Sequence, residues 1–478
     1  MVTRSSVSRI GNGLSLFANK CAANTFDISS GMVYASMRDQ IVRAQLLITD
    51  LHRSDKGCKR ILIVGAGIAG VTAAACAAQL GLEVVVIEAE SQPFALQRGV
   101  KNRMVGPFMY EWPSLMSESQ HYPPTNASLA NGLTGTPKWS ASQPISADNL
   151  VHQLMPWYHG LVKLSSKPRF FYGQPSAATR QYVKNFVNAC SKLVVAGARK
   201  IAPAIALPDN TQFSPDYVIL AVGMGTERVH LIDGTENDVD CVRGVAFWGN
   251  DDFRKYRNMD WEVGVFGGGD GALQDVLRLI TRFDHPLQFI NALRAKPGAV
   301  GKNIDAILPE LDTVEQQSRL LHTWSAEIYE LIDIKCQGIA GRLATDLAVI
   351  SKVLTLLRPG SGTVFHVHRG QHFTKAYLLN RFCVHLIEIC LAHRSPAGFV
   401  GYKRIKDTST ELGASSPSTG KPVVHLSNGD TLVLDRVAVR FGPNKEELEK
   451  RQIIKLSAET KADRTSLASI PLPYLVAQ

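Results

Sequence analysis

The sequence lacks several patterns that mark well-known classes of protein. Its eight cysteines include no Cys-x-x-Cys pair, which argues against a thiol redox centre and against a small disulfide framework. No apolar run reaches the roughly 18 residues of a membrane helix, and the N-terminus shows no apolar core followed by a small-residue cleavage site. A Gly-x-Ser-x-Gly elbow and a Gly-Lys-Ser/Thr phosphate loop are also missing. These absences predict a cytoplasmic protein with no membrane association.

Neither the net charge nor the histidine content of the sequence predicts a nucleic-acid or metal partner. The net charge is +10, but the basic residues are spread along the chain without a dense run, so no nucleic-acid partner is predicted. His366, His368 and His372 lie close together in sequence. Alternate histidines on a strand can share one face and bind a metal ion there. No cysteine or carboxylate lies nearby in sequence, and surface histidines explain the pattern as well. No metal is therefore predicted.

Residues 60–88 carry the strongest pattern in the chain. An apolar strand, the glycine turn GAGIAG, an Ala-rich helix and a second apolar strand follow one another and end at Glu88, 23 residues after Gly65. Gly65 allows a tight turn, Gly67 lets a pyrophosphate approach the backbone, and Gly70 lets the helix pack on the strand. Ile68 and Ala69 open the helix, whose N-terminus favours anions. A carboxylate at Glu88 suits the ribose hydroxyls of FAD or NAD.

A second glycine turn lies at residues 263–272, VGVFGGGDGA, followed by the helical pattern LQDVLRLI. Gly267, Gly269 and Ala272 fit the G-x-G-x-x-A variant, with Asp270 inside it. Residues 287–292, LQFINA, are predicted as the next strand. That strand ends at Asn291 instead of a carboxylate, and Arg294 and Lys296 follow. The missing carboxylate and the two basic residues favour binding of a 2′-phosphate, so NADPH is predicted over NADH.

The remaining patterns complete a fold prediction. Strands are predicted at 192–200, at 202–207 and within 209–222, and again within 423–443 around an Asn-Gly-Asp turn. Helical periodicity fills 312–335, 342–358 and 376–392, and an N-terminal helix within 29–51 is expected to pack on the first unit or on a partner subunit. The fold class is α/β, with two Rossmann-like dinucleotide-binding units, their β-meanders and a mainly helical insertion. The predicted domains are 1–57, an N-terminal extension; 58–255 with 444–478, the first unit; 256–296 with 397–443, the second unit; and 297–396, the insertion.

The motifs GAGIAG with Glu88, AVGMGT at residues 221–226, and GGGDGA resemble the two-dinucleotide-binding-domain flavoproteins. This superfamily includes thioredoxin-reductase-like enzymes and flavin-dependent monooxygenases, and the resemblance covers roughly residues 58–443. It implies FAD on Gly65, Gly67, Gly70 and Glu88, with Gly223 in the exit motif. It also implies NAD(P)H on Gly267, Gly269 and Ala272, and hydride transfer from nicotinamide to flavin.

The sequence departs from this superfamily in three ways. The redox Cys-x-x-Cys is absent, the late Gly-Asp motif has no convincing match, and the insertion of about 100 residues is additional. The insertion is a candidate cover for a substrate pocket and a candidate surface for a homo-oligomer.

Residues 96–114, LQRGVKNRMVGPFMYEWPS, are the expected wall beside the flavin. Arg98, Lys101 and Arg103 are candidates to contact FAD phosphate or to stabilise a reduced, anionic flavin. Tyr110 and Trp112 are candidates to flank the ring or substrate, and Glu111 is a candidate acid or base. Solvated charges with a Trp-Pro core anchor explain the same segment equally well.

These features predict an FAD-dependent oxidoreductase that takes a hydride from NAD(P)H and passes it to oxygen, as a monooxygenase, or to an organic acceptor. Two alternatives stay open. One is an amine or amino-acid oxidase or dehydrogenase whose second nucleotide site is vestigial. The other is a non-enzymatic sensor that binds FAD or NAD(P)H. The predicted partner is a small-molecule substrate.

Overall fold

The structure is a computed structural model. It describes residues 14–29, 36–118, 120–122, 135–164, 166–196, 203–231, 242–295, 298–320, 326–393, 397–407, 413–415, 420–443 and 453–454.

The first unit contains twelve strands and five helices among the described residues. The strands are β1 (Lys20–Ala22), β2 (Thr25–Asp27), β3 (Arg60–Val64), β4 (Glu83–Ile87), β5 (Met104–Val105), β6 (His121–Tyr122), β7 (Trp139–Ser140), β8 (Ile145–Ser146), β9 (Arg169–Phe171), β10 (Ile205–Ala206), β11 (Gln212–Phe213) and β12 (Tyr217–Leu220). The helices are α1 (Leu14–Asn19), α2 (Met37–Ser54), α3 (Ile68–Gln79), α4 (Ala147–Gly160) and α5 (Ser176–Ala196).

The central sheet of the first unit has the order β1-β2-β12-β3-β4-β9. Strands β2, β12, β3, β4 and β9 run parallel to one another, and such strands are buried on both faces. Strand β1 is antiparallel to β2. Alternate residues of β3 lie on opposite faces of the sheet. Ile61 and Ile63 pack in the core with α2, α3 and α4, and Leu62 and Val64 pack in the core with α5. The unit is therefore a three-layer α/β sandwich.

Helix α2 is an integral part of this unit. It packs against α3, as the sequence predicts, and Ser36 caps its N-terminus by accepting a hydrogen bond from the Asp39 backbone N–H (3.1 Å). Several of its polar residues are also buried, among them Arg38, Asp39 and Arg43. The chain also returns to this unit near its end, because Ile453 and Ile454 pack on the α5 side of the sheet.

The second unit carries the remaining elements. Its strands are β13 (Val263–Phe266), β14 (Thr363–His368), β15 (Gly401–Lys406), β16 (Gly413–Ser415), β17 (Val423–His425), β18 (Thr431–Val433) and β19 (Arg436–Val439). Its helices are α6 (Asp270–Ile280), α7 (Pro286–Arg294), α8 (Ala299–Leu320), α9 (Ala326–Leu343), α10 (Leu347–Thr355) and α11 (Leu378–His393).

A parallel sheet of order β15-β14-β13-β19 forms the centre of the second unit. The helices cover one face in a single large core. The β16-β17-β18 meander covers the other face, where Val424 and Leu432 meet Phe266 and Val439. The Asn-Gly turn between β17 and β18 is as the sequence predicts, with Gly429 at a φ of +88°. The predicted fold class is thus confirmed.

Three predictions about this fold are wrong in detail. Residues 287–292 are not the second strand of the unit but lie within α7, because Pro286 and the His285 cap start a helix there. The second strand is β14, and α11 is the helix of the next crossover, so the helical addition is shorter than 297–396 and spans α7 to α10. Residues 192–196 extend α5 instead of forming a strand, and residues 197–200 lie outside the described residues.

Candidate functional site

The first glycine turn closes tightly between β3 and α3. Gly65 has a φ of +107°, and a Cβ atom there would lie 2.3 Å from the carbonyl oxygen of Ala221, at the end of β12. A Cβ atom on Gly70 would lie 1.9 Å from the carbonyl oxygen of Gly65. Both positions need glycine because backbone fills the space a side chain would take. The turn therefore brings three stretches of backbone together at the carboxyl edge of the sheet.

The middle of this turn is open. A Cβ atom on Gly67 would meet no atom of the described residues within 4 Å. Gly67 is the N-cap residue of α3, and the first intrahelical hydrogen bond runs from the Val71 N–H to the Gly67 carbonyl (3.0 Å). The N–H groups of Ile68 and Ala69 precede that bond, where a helix has unpaired donors and a positive dipole end. This geometry fits a pyrophosphate.

Glu88 lies directly after β4, beside the same turn. Its carboxylate accepts hydrogen bonds from the backbone N–H groups of Ala66 (2.5 Å) and Glu90 (2.8 Å). The side chain is half-buried, and a carboxylate has further acceptor positions for ribose hydroxyls. Glu88 can thus support the turn and hold a ribose at once.

Apolar side chains remain uncovered near this opening. Val222 and Met224, which flank Gly223 after β12, are 49% and 39% exposed, and Leu96 is 60% exposed. Arg98 is half-buried, and its Nη2 lies 3.4 Å from both the Pro93 carbonyl oxygen and the Met155 sulfur. An apolar rim beside an anion cradle fits a ligand that has both a pyrophosphate and a planar ring.

The second glycine turn repeats the backbone form of the first. Gly267 has a φ of +136°, and a Cβ atom there would lie 2.4 Å from the Arg440 carbonyl oxygen, after β19. The buried His366 donates from Nε2 to the Gly267 carbonyl (2.8 Å). Burial and the neighbouring His368 keep the pKa of His366 well below its ordinary value. A neutral histidine therefore supports this turn. Gly269 caps α6, and Ala272 packs in the core.

The chain after β14 crosses the second turn. The backbone N–H of Thr374 donates to the Gly268 carbonyl (2.7 Å), and the N–H of Asp270 donates to the Lys375 carbonyl (3.1 Å). The Asp270 carboxylate accepts from the Tyr377 N–H (3.0 Å) and the Asn380 amide (2.6 Å). Burial raises the pKa of Asp270 to about 6. The first N–H of α6 is thus occupied by the protein itself.

The strand registers identify the counterpart of Glu88 in the second unit. Val64 pairs with Ile87 in the first sheet, and Phe266 pairs with Val367 in the second. The residue that follows is therefore His368, with the exposed Arg369 after it. His368 accepts a hydrogen bond from the Nε of Arg404 (2.8 Å), and burial together with Arg404 lowers its pKa to about 4.

The residues predicted to bind a 2′-phosphate lie elsewhere. Arg294 is at the end of α7, where it pairs with Glu118 (3.3 Å) and Asp305 (2.9 Å). Asn291 is on the same helix, and Lys296 lies outside the described residues. Because 287–292 is helical, these side chains are not at the carboxyl edge of the second sheet.

Arg103 lies in a buried ion cluster that joins the two units. Its guanidinium contacts Asp275 of α6 and Asp251 (3.4 Å). Arg278 contacts both of these carboxylates, and Arg440 contacts that of Asp275. Burial alone would raise the pKa of Asp275, but the guanidinium groups hold it well below its ordinary value. The described contacts of Arg103 therefore belong to the interface between the units.

The other candidates of the flavin-side wall are separated. Glu111 is buried, with its Oε1 3.4 Å from the Nη1 of Arg38 in α2. Trp112 precedes a cis proline and packs in the core of the second unit, with its ring centroid 5.6 Å from that of Phe382. The side chain of Tyr110 lies outside the described part. These residues are neighbours in sequence, but the side chains of Glu111 and Trp112 lie in different parts of the structure.

A cavity of about 240 Å³ lies beside this wall. Phe108, Met109 and Trp112 form its apolar part, and Leu287 and Asn291 of α7 form another wall. Gln120, Gln143 and Arg294 supply polar groups at its edge. The helical addition thus contributes directly to the lining of this cavity.

The sequence patterns did not single out Lys375, Tyr377 or Asp39. Tyr377 donates to the Asp39 carboxylate of α2 (3.4 Å), which links the chain over the second turn to the first unit. These residues are far apart in sequence and have no motif, so only the folded chain brings them together.

The described residues contain neither a metal-binding cluster nor a membrane-spanning helix. Among them, no three His, Cys, Asp or Glu side chains are grouped to hold a metal ion. His372 lies 3.4 Å from the Asp333 carboxylate and 3.5 Å from that of Glu330. No helix in the described ranges is long and apolar enough to cross a membrane.

Fold and site together define a dinucleotide-binding α/β protein with two glycine turns. The model of the FAD-dependent oxidoreductase family matches residues 60–163, which run from β3 to the end of the short helix after α4. The match confirms the flavoprotein resemblance and supports FAD as the cofactor of an oxidoreductase.

Solved structures with similar folds include two bacterial reductases. Thioredoxin reductase of Lactococcus lactis is 10% identical, with 80% of this chain and 77% of that chain covered and a TM-score of 0.31. Bacillithiol disulfide reductase of Bacillus cereus is 10% identical, with 84% and 83% covered and a TM-score of 0.36. No curated protein matches the sequence.

Proposed function

We propose that the protein is an FAD-dependent oxidoreductase whose flavin takes a hydride from NADPH and passes it to oxygen or to an organic acceptor. The open Gly67 turn beside Glu88 carries this proposal, because it offers an anion cradle and a ribose carboxylate at one edge. FAD, when bound, supplies the two-electron chemistry. Oxygen is the first acceptor to test, since the sequence has no Cys-x-x-Cys to receive the electrons.

The second turn supports NADPH by its charges. A carboxylate at the Glu88 position would repel a 2′-phosphate, and His368 and Arg369 stand there instead. Arg404, which contacts His368, adds another positive charge. NADPH is therefore the proposed donor. The residues proposed to favour its 2′-phosphate lie at the end of β14, and Arg294 is not among them.

The test is an anaerobic absorbance titration of the FAD-loaded protein with NADPH and then with NADH. We expect NADPH to bleach the flavin and air to restore its colour. Arg369→Ala should weaken the response to NADPH and leave that to NADH unchanged. Lys403→Ala, which removes an exposed charge earlier in the neighbouring strand, is the matched control. Bound FAD that neither nucleotide reduces would contradict the proposal.

The second candidate is an amine or amino-acid oxidase in which the second turn binds no nucleotide. The hydrogen bonds from Thr374 and to Lys375 favour it, because the chain itself occupies the second turn. In that case an amine or amino acid bleaches the flavin without any nicotinamide. Substrate-dependent bleaching in the absence of NADPH distinguishes the two candidates.

The cavity beside α7 is the proposed acceptor site for an organic substrate. Its apolar part and polar edge fit a molecule with an apolar body and a polar end. Oxygen uptake that increases when such a compound is added would support a monooxygenase. NADPH oxidation without consumption of the compound would favour a simple oxidase of NADPH.

A further inference from the structure

Residues 374–377 lie where the two units meet. Their backbone bonds to the second glycine turn through Gly268 and Asp270, and the Tyr377 hydroxyl reaches Asp39 in α2 of the first unit. Helix α2 packs along α3, the helix that begins at the open Gly67 turn. The side chain of Lys375 is thus carried by the second unit into surroundings shared with the first.

The direction of a bound FAD follows from the first sheet. Glu88 follows β4, on one side of β3, so it receives the adenosine ribose there. The flavin end must then extend to the other side of β3, past β12. The exposed Val222 and Met224 follow β12, and the chain continues from there into the second unit. The ring of the flavin is therefore directed toward the boundary with the second unit, where residues 374–377 also lie.

Charge makes Lys375 chemically distinct in this region. The Arg43 guanidinium and the Asp39 and Asp270 carboxylates all act on it, so its ammonium group has charges of both signs around it. Burial among protein atoms lowers the pKa of Lys375 to about 8, with Arg43 adding to the shift, and the residue as a whole remains exposed to solvent. Arg103, the sequence candidate for charge stabilisation, contacts Asp251 and Asp275 instead.

We propose that the ammonium group of Lys375 lies against the flavin ring and stabilises its negative charge after reduction. A hydride adds two electrons and one proton to the ring, which leaves the reduced flavin anionic, and a fixed cation nearby favours that state. Lys375 is then a catalytic residue that the second unit supplies to the cofactor of the first. This inference rests on the proposed function only in requiring FAD on the first turn.

Sulfite provides the test, because it adds to the flavin ring and creates the same negative charge without any turnover. The sulfite dissociation constant is measured from flavin absorbance in the FAD-loaded protein. We expect Lys375→Met to weaken sulfite binding by about tenfold or more, and Lys375→Arg to keep most of it. Lys184→Met removes an exposed lysine of α5 and is the matched control, with no change expected.

The pH dependence gives a second readout that needs no variant. Since only the charged amine stabilises the anion, sulfite affinity of the wild type should fall as pH rises through about 8, and Lys375→Met should lack this step. If Lys375→Met does not fold, the sulfite affinity of Lys375→Gln and the pH dependence of sulfite binding in the wild type test the inference.

Two outcomes overturn the inference. FAD uptake with equal sulfite affinity in wild type and Lys375→Met overturns it alone and leaves the proposed function intact. Failure of the wild-type protein to bind FAD overturns both.

Discussion

Gly67 and Gly70 lie within one turn of α3 but are glycine for different reasons. Gly70 has no space for a side chain, whereas a Cβ atom on Gly67 would meet no atom of the described residues within 4 Å. We expect Gly70→Ala to destabilise the protein by about 3 kcal/mol, because its Cβ would overlap the Gly65 carbonyl. Gly67→Ala should cost about 1 kcal/mol or less, because its φ of −70° suits any residue. Its effect should instead be on FAD, whose affinity should fall at least about tenfold.

Thermal melting and FAD titration of both variants check this pair. A Gly67→Ala protein that binds FAD like the wild type would show that the opening is not the pyrophosphate site. A Gly70→Ala protein with an unchanged melting temperature would contradict the close packing of α3 on the turn.

Asp270 gives the residue-scale prediction for pH. Its folded pKa of about 6 is above that of an unfolded aspartate, so the folded state binds the proton more tightly. Stability from this group is therefore greatest at low pH and is lost as pH rises through about 6. Asp270→Asn keeps an acceptor for the Tyr377 N–H without the charge. We expect it to be more stable than the wild type by about 2 kcal/mol at pH 7.5 and to differ little at pH 4.

Denaturant unfolding at the two pH values tests this. Asp275→Asn is a useful contrast, because the arginines around Asp275 hold its pKa low and need its charge. That variant should be destabilised at both pH values, and a stabilised Asp275→Asn would contradict the assigned charges.

At the scale of elements, local sequence predicted the first unit well and the second unit poorly. Strand, turn, helix and strand are contiguous from Arg60 to Glu88, so periodicity and glycine spacing were sufficient. In the second unit, α7 to α10 separate α6 from β14, and no local rule says which apolar segment rejoins a sheet. Residues 287–292 fit a strand by composition, yet Pro286 after His285 was an available signal for a helix start.

Only those residues of the site that belong to a sequence motif could be predicted. The glycines and Glu88 are set by backbone geometry, which leaves a sequence pattern. Arg103 and Trp112 were candidates by proximity to that pattern, but their environments depend on Asp275 and Phe382, which are distant in sequence. Lys375 was missed for the same reason, since nothing local marks a lysine that lies between two units.

Helix α7 provides the element-scale prediction. Asn291 is exposed and lines the cavity, so Asn291→Trp should fill part of it without disturbing the core. We expect acceptor-dependent turnover to fall about tenfold while anaerobic reduction by NADPH is unchanged. Lys302→Trp places the same bulk on the exposed face of α8 and should alter neither rate. Equal loss of both rates in Asn291→Trp would show a general structural effect instead of a filled pocket.

At the scale of the whole molecule, the two units are joined by charge as well as by apolar packing. Trp112 of the first unit lies in the core of the second, and Arg103 reaches Asp275 across the same boundary. The carboxylates of Asp251 and Asp275 each face more than one guanidinium, so the cluster is fully buried without an isolated charge. Such a boundary restricts the relative placement of the two glycine turns, as the proposed hydride transfer between two dinucleotides would require.

Arg103→Met tests this boundary. Removing one guanidinium leaves its share of the Asp251 and Asp275 charge buried, and breaking a buried pair costs about 3 kcal/mol. We expect a lower melting temperature and faster proteolytic cleavage in the linker at 242–262, with FAD retained because the first turn lies elsewhere. Arg169→Gln, which breaks an exposed pair with Glu83 at 3.2 Å, should cost about 1 kcal/mol or less. If Arg103→Met melts and resists protease like Arg169→Gln, the cluster does not hold the units together, and their placement depends on packing around Trp112 alone.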